Sequence, residues 1–178
     1  MSKKAVVWVS TVLYTLITLA LISLVLVAVK PVIDKNRDKV IIEQSTEMLD
    51  QIEETFNKAS ITEGTRLSLR IMIKKGSLLL NSTNDIITWQ LQDSSYMYSE
   101  PNTVLVKEGG RRIILTEQSK TNPDKWLVSL TFNCSAAGYN ITYSGKEQNK
   151  TFLPAESSYL FFIENKGNNT LDIYTGNE

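Results

Sequence analysis

The chain has 178 residues, and its 19 basic and 19 acidic side chains leave no net charge at pH 7. Balanced charge produces no overall field that attracts nucleic acid, so no nucleic-acid partner is expected. The sequence contains no histidine and a single cysteine, Cys134, which excludes an intrachain disulfide and any histidine-based metal or acid–base site. We therefore expect no cofactor and no enzymatic activity.

The first predicted element is an apolar segment from Ala5 to Val29 that contains no charge, glycine or proline. As a helix it is about 37 Å long, enough to cross a hydrocarbon layer of about 30 Å with some tilt. Residues 5–30 are thus predicted to form a transmembrane helix. A buried core helix would carry some charge, and a cleaved secretory signal would have a shorter apolar region and a small-residue cleavage site, so both alternatives are disfavoured.

Residues 31–60 are predicted to continue as an amphipathic helix that ends between Ala59 and Gly64. Pro31 lacks an amide hydrogen and predicts a kink or a short break between the two halves. The apolar stripe comprises Ile41, Met48, Leu49, Ile52 and Phe56, with Val40 and Ile42 widening its start. The opposite face carries Glu43, Glu47, Asp50, Glu53 and Glu54. A single apolar stripe is buried by packing against one other part of the protein, and we expect this to be the domain that follows.

A charged cluster follows Pro31 and consists of Asp34, Lys35, Arg37, Asp38 and Lys39. We interpret it as a solvated juxtamembrane turn. The alternative is a set of charges that pair between neighbouring subunits.

Residues 61–178 are predicted to form a β-rich domain, since the apolar period falls from 3.6 towards 2 at Leu67, Leu69, Ile71 and Ile73. Gly109-Gly110 predicts a two-residue hairpin turn. Further strands are predicted at 77–81, 85–92, 103–108, 111–116, 125–132, 139–143, 150–153, 159–163 and 170–174. The fold class is therefore α+β: a long N-terminal helix packed on an antiparallel β-sandwich-like domain.

This domain shows no phosphate-binding loop, nucleophile elbow or metal-ligand spacing. Cys134 is interpreted as a small buried apolar side chain, and the pairs Lys74-Lys75 and Arg111-Arg112 as solvated strand ends. The carboxylates Asp93, Glu100, Glu108 and Asp172 are scattered. Half-buried strand tyrosines are favoured over a sugar-binding surface for Tyr96, Tyr98, Tyr139, Tyr143, Tyr159 and Tyr174.

Five triplets match the N-glycosylation sequon N-x-[ST], and all follow the apolar helix. Their asparagines are Asn81, Asn133, Asn140, Asn149 and Asn168. Lysines flank both ends of the apolar segment, so the distribution of positive charge does not orient it. The sequons favour an extracellular β-domain, and the five asparagines are candidate N-glycosylation sites.

The N-terminal region resembles the type IV pilin-like proteins of archaea. The resemblance covers about the first 58 residues and rests on Lys3-Lys4-Ala5-Val6-Val7, the long apolar run and its amphipathic continuation from Pro31 to Ser45. It implies that residues 1–4 are a short basic leader, which a prepilin peptidase removes between Lys4 and Ala5. Bacterial type IV pilins carry Gly and Glu where this chain has Lys4 and Val9, so the likeness is to the archaeal branch.

The resemblance implies a structural function. The apolar helices of many copies would leave the membrane and bundle in the core of a surface filament used in adhesion or motility, with the β-domains outside. The implied partners are the membrane, copies of the chain in a helical homopolymer, the prepilin peptidase and the pilus assembly machinery. The hydroxyls of Ser10, Thr11, Thr15, Thr18 and Ser23 would allow close approach and hydrogen bonds between helices.

The alternative function is a single-pass, signal-anchored ectodomain that binds a surface partner or ligand without forming filaments. A membrane-tethered enzyme is disfavoured because no catalytic set is visible.

Overall fold

The computed structural model describes residues 3–176, with side chains from residue 8 onward. The described chain contains one long helix, α1 (Lys3–Ala59), and ten strands. The strands are β1 (Arg66–Ile71), β2 (Ser77–Asn81), β3 (Ile86–Ser94), β4 (Val104–Lys107), β5 (Arg112–Gln118), β6 (Trp126–Asn133), β7 (Asn140–Tyr143), β8 (Asn149–Phe152), β9 (Tyr159–Asn165) and β10 (Thr170–Thr175). Two compact units, Met1–Arg37 and Asp38–Glu178, divide within α1, and each is described by itself.

In the first unit α1 remains helical on both sides of Pro31. Proline removes one backbone hydrogen bond from a helix interior, but the neighbouring turns here keep their helical geometry. Pro31 therefore does not end the helix, and a kink of the axis at this position stays a prediction.

In the second unit, which we call the globular unit, the last part of α1 buries an apolar stripe. Its buried members are Ile42, Met48, Leu49, Ile52, Phe56 and Ala59. The predicted stripe is confirmed, except that Val40 is 49% exposed and Ile42 rather than Val40 begins it. A second correction concerns Glu53, which was assigned to the solvated face and is only 8% exposed.

The strands form two sheets. The four-stranded sheet has the order β1-β9-β10-β7, and the six-stranded sheet has the order β4-β5-β6-β3-β2-β8. Leu67 and Leu69 of β1 face Ile163 and Phe161 of β9 in register, as an inward-facing apolar row requires. All pairs are antiparallel except β7 and β10, which are parallel. The predicted α+β architecture is confirmed, with this parallel pair as a difference in detail.

One core joins α1 to both sheets. Ile52 and Phe56 of α1 line a small internal cavity together with Ile163 of the four-stranded sheet and Ile87 of the six-stranded sheet. Trp89 is 1% exposed, and its indole N–H donates to the carbonyl of Lys75 at 3.2 Å. Because side chains from all three layers share this core, the globular unit needs the C-terminal part of α1 to cover its interior.

The β4–β5 connection differs from the predicted two-residue turn. A 3-10 turn spans Glu108–Gly110, and Glu108, Gly109 and Gly110 all have positive φ. Three successive residues with positive φ are tolerated because two of them are glycine, which adopts this conformation without steric cost. The connection therefore comprises residues 108–111, but Lys107 still lies opposite Arg112, which is the register that the two-residue turn predicted.

Candidate functional site

The part of the apolar segment whose side chains the structure describes, residues 8–29 of α1, exposes large apolar side chains around its whole circumference. The exposed fraction of these large apolar residues ranges from 42% for Val29 to 77% for Val27, and Trp8 is 75% exposed. Soluble proteins rarely expose a continuous apolar surface of this size, and such a surface marks contact with lipid or with other protein. Among residues 8–176, α1 is the one helix that is long and apolar enough to cross a membrane.

Several hydroxyls of the apolar segment are satisfied within α1 itself. Thr15 donates to the carbonyl of Val12, and Thr18 donates to that of Tyr14, each at 2.8 Å. Ser23 makes the same type of bond to Leu19. Because each proton already has an acceptor, these side chains cost little in an apolar environment. Cross-helix bonds through them stay a prediction, and in this geometry the hydroxyls would enter such bonds as acceptors.

The charged cluster after Pro31 divides into two parts. Arg37 lies 3.5 Å from Asp34, and both side chains are partly or largely exposed. Asp38, in contrast, is 1% exposed, so its assignment to a solvated turn is wrong. Asp38 Oδ1 accepts from Lys75 Nζ at 2.6 Å, and its Oδ2 accepts from the backbone N–H of Ser95 at 2.8 Å. These bonds fasten the first turn of the globular unit's helix to the β1–β2 and β3–β4 connections.

A second buried ion cluster fastens α1 to β5. Arg112 Nη2 lies 2.7 Å from both Asp50 Oδ1 and Glu53 Oε2, and Arg111 Nη1 lies 2.7 Å from Glu53 Oε1. The Arg112 guanidinium also lies 4.9 Å from the ring centre of Phe132. Arg112 is 8% exposed, so the interpretation of Arg111-Arg112 as a solvated strand end is wrong for Arg112.

A cavity of about 140 Å³ opens beside this cluster. Asp50, Glu108, Lys107 and Arg112 line it, together with apolar side chains. Arg112 Nε and Nη1 have no hydrogen-bond partner among the residues that the structure describes. Glu108 Oε2 lies 3.9 Å from Arg112 Nε, beyond hydrogen-bonding distance. Two acidic and two basic side chains balance each other, so the cavity does not select a ligand by net charge.

The other side chains considered for chemistry do not converge. Cys134 is completely buried, and burial raises the pKa of its thiol well above the usual range, so the reactive thiolate is suppressed. Asp93 accepts from Ser119 and Thr121, whereas Asp172 accepts from Thr142 and the Gly145 amide. No group of three or more potential metal ligands occurs among the described residues.

The six tyrosines are distributed rather than gathered on one surface. Five of them pack partly buried against the core: Tyr96, Tyr98, Tyr139, Tyr143 and Tyr159. Tyr174 stacks on Phe162 at 5.4 Å between ring centres. Their interpretation as half-buried residues is confirmed, but only Tyr143, Tyr159 and Tyr174 lie in strands, whereas Tyr96, Tyr98 and Tyr139 lie in connections.

The predicted processing and modification sites lie in different units. Lys4 and Ala5 fall in the first turns of α1, where the structure describes the backbone alone. The five sequon asparagines lie in the globular unit. Asn140, Asn149 and Asn168 are exposed, whereas Asn81 and Asn133 are partly buried.

Comparisons with protein families, curated proteins and solved structures found no match for this chain. The class that the observations define is an α+β protein with a long apolar N-terminal helix compatible with membrane anchoring.

Proposed function

We propose that this chain is a structural subunit of a type IV pilus-like surface filament, with the apolar segments of many copies bundled inside and the globular units outside. The supporting observation is the apolar segment, which is exposed on every face and contains no charged side chain between residues 8 and 29. A one-sided apolar stripe would serve a single partner. A helix that is apolar all round is suited first to lipid and then to several neighbouring helices at once.

The energetics of the transfer support the same proposal. Moving the segment from a bilayer to a helix bundle exchanges lipid contacts for helix contacts, so the hydrophobic cost is small. The internally bonded hydroxyls of Thr15, Thr18 and Ser23 remove a further polar cost in either environment. Head-to-tail contacts between identical subunits produce a filament whenever the rotation between copies does not close a ring.

The competing proposal is a permanently anchored ectodomain, which the same segment would also serve. The two proposals differ in processing, because a pilin-like precursor is cut between Lys4 and Ala5 before it assembles. Sequencing the N-terminus of the protein purified from its native membrane tests this difference. The filament proposal expects Ala5 as the first residue, whereas an intact Lys3-Lys4 end would count heavily against it.

A further inference from the structure

The five sequons, although spread over 87 positions of sequence from Asn81 to Asn168, converge on one end of the globular unit. The β2–β3 turn, residues 82–85, is the centre of this end. Asn81 closes β2 immediately before the turn, and Asn149 at the start of β8 is its register partner. Ser82 of the turn donates to the carbonyl of Gln148 at 3.0 Å, which brings the residue before Asn149 to the same place.

The other three sequons reach the same turn through hydrogen bonds of Asp85. The backbone N–H of Cys134, next to Asn133, donates to the Asp85 carbonyl at 2.8 Å. The backbone N–H of Ile141, next to Asn140, donates to Asp85 Oδ1 at 2.7 Å. Asn140 N–H in turn donates to the carbonyl of Asn169, beside Asn168, at 2.9 Å.

The opposite end of the globular unit carries no sequon among the described residues. That end contains the hydrogen bonds of Asp38 with Lys75 and Ser95. Lys75 precedes the first residue of β2 and Ser95 follows the last residue of β3, whereas Asn81 lies at the other end of both strands. A strand of the length of β3 spans about 30 Å, so the two ends are well separated. We call the two regions the sequon end and the Asp38 end.

The five asparagines differ in availability. The side-chain amides of Asn140, Asn149 and Asn168 are exposed and make no hydrogen bond among the described residues. Asn81 and Asn133 are partly buried, and each closes a turn. Asn81 Oδ1 accepts from the N–H of Asn84 at 3.1 Å, and Asn133 Oδ1 accepts from that of Ala136 at 3.0 Å. An enzyme that extracted either side chain would have to open its turn.

We propose that the sequon end is covered by N-linked glycans on Asn140, Asn149 and Asn168, and that Asn81 and Asn133 remain unmodified. The donor class is an oligosaccharide linked through phosphate to a lipid. Asparagine Nδ2 attacks C1 of the first sugar, a C–N bond forms, the C1–O bond to phosphate breaks, and the lipid phosphate leaves with the bonding electrons. The Nδ2 proton passes to the transferase's base.

This inference rests on the export of the globular unit in the proposed function, and it does not need the filament. It also limits which surfaces of the globular unit can contact other copies of the chain in a filament. A glycan is bulky and strongly hydrated, so contacts between copies would avoid the sequon end.

Glycopeptide mass spectrometry of the full chain purified from its native host tests the proposal. We expect glycan mass on the peptides that contain Asn140, Asn149 and Asn168, and none on those with Asn81 and Asn133. Absence of glycan at the first three positions, or its presence at Asn81 or Asn133, would overturn it.

Thr151 supplies a matched pair of variants because it is exposed and lies in the sequon of Asn149. Thr151→Ser keeps the sequon and should keep the glycan on Asn149, whereas Thr151→Val removes the sequon and should lose that glycan alone. Equal modification of Asn149 in both variants would contradict sequon-directed transfer.

Electron microscopy and protease accessibility of the same preparation separate this proposal from the filament. Filaments built from unglycosylated chains would overturn the glycan proposal alone. Glycosylated chains without filaments would overturn the filament alone. An unglycosylated globular unit shielded from external protease on intact cells would overturn the export on which both depend.

Discussion

Asp38 and Glu53 are two carboxylates on α1 that lie almost entirely out of solvent, and each is held by basic side chains from another part of the globular unit. An isolated buried charge is costly, so each carboxylate is retained only with its cation in place. The pairs therefore fix the rotation of α1 about its own axis and its position along the sheets. An apolar stripe alone would tolerate small slips of the helix.

The first prediction concerns the Glu53 cluster. Glu53→Gln leaves Arg111 without its carboxylate and Arg112 with the exposed carboxylates of Asp50 and, at 3.9 Å, Glu108. We expect a loss of about 3 kcal/mol in the free energy of unfolding, as is usual when one partner of a buried ion pair is removed. Urea unfolding of the full chain in detergent micelles, followed by tryptophan fluorescence, measures this loss.

Glu54→Gln is the matched control for this measurement. Glu54 is the next residue, and its exposed carboxylate pairs with Lys58 on the same helix. Exposed pairs of this type contribute little, so the control should unfold at nearly the wild-type urea concentration. Equal effects of the two substitutions would show that the buried cluster does not stabilise the fold.

The second prediction concerns pH. Hydrogen bonds from Ser119 and then Thr121 lower the pKa of Asp93 below its ordinary value of 3.8. A carboxyl whose pKa is lower in the folded state stabilises the fold above its unfolded pKa and loses that contribution as pH falls through the folded pKa. Asp93→Asn should therefore destabilise the chain at pH 6, and this destabilisation should shrink as pH falls below 3.8.

Unfolding midpoints of wild type and Asp93→Asn at several pH values between 3 and 6 check this expectation. Asparagine suits the site because Asp93 has a φ of 56°, a conformation that asparagine also adopts readily. Asp124→Asn, which changes an exposed carboxylate, is the control. A difference between wild type and Asp93→Asn that stayed constant with pH would contradict the assigned role of these hydrogen bonds.

At the scale of elements, helix and strand periodicity anticipated most of the architecture. The alternation in β1 and the 3.6-residue stripe from Met48 to Phe56 are confirmed, because burial of one face leaves a direct mark on residue order. Asp38 and Glu53 were missed, although Asp38 precedes Ile42 by four positions and so lies on the same helical face. Arg112 likewise shares strand parity with buried Ile114.

The reason for these misses is physical. A charged residue in an apolar register is stable only if an opposite charge reaches it, and the partners lie far along the chain. Glu53 and Arg112 are 59 positions apart, and no local pattern links them. The parallel pairing of β7 with β10 was missed for the same reason, since strand order depends on the whole topology rather than on either strand.

The third prediction tests the contact between α1 and the core. Phe56 is fully buried, and its ring centre lies 5.7 Å from that of Phe132 and 5.9 Å from that of Tyr139. Phe56→Ala should lower the free energy of unfolding by about 3–5 kcal/mol, because it removes the contacts with both rings and leaves a cavity.

Ile61→Ala provides the comparison for Phe56→Ala, since Ile61 is 79% exposed just beyond the end of α1. Its truncation should leave thermal unfolding of the detergent-solubilised chain nearly unchanged. If Phe56→Ala unfolded at the same temperature as wild type, the C-terminal part of α1 would not be an integral part of the core.

At the scale of the whole molecule, two units with opposite surface character share one helix. The apolar segment exposes apolar side chains on all faces, whereas the globular unit has one buried apolar core. The composition of the sequence predicted the division into an apolar segment and a globular unit, because an uncharged apolar run as long as residues 5–29 is not stable in water. The sequence does not separate a filament subunit from an anchored ectodomain, since contact with lipid and contact with neighbouring helices require the same apolar residues.

Electron microscopy of surface filaments on cells that express either the wild-type chain or a Leu19→Lys variant tests the filament claim most directly. Leu19 lies near the middle of the apolar segment and is 61% exposed. A lysine at the centre of a membrane helix costs about 3 kcal/mol on insertion scales, which so long an apolar helix tolerates. A lysine facing neighbouring helices in a filament core would leave a buried, unpaired charge.

We predict that wild-type cells carry filaments labelled by an antibody to the globular unit, and that Leu19→Lys protein is present in the membrane fraction without forming filaments. Ile61→Lys places the same charge at an exposed apolar position of the globular unit and should assemble normally. Membrane-wide labelling of wild-type cells with no filaments, or normal filaments from Leu19→Lys, would contradict the proposal.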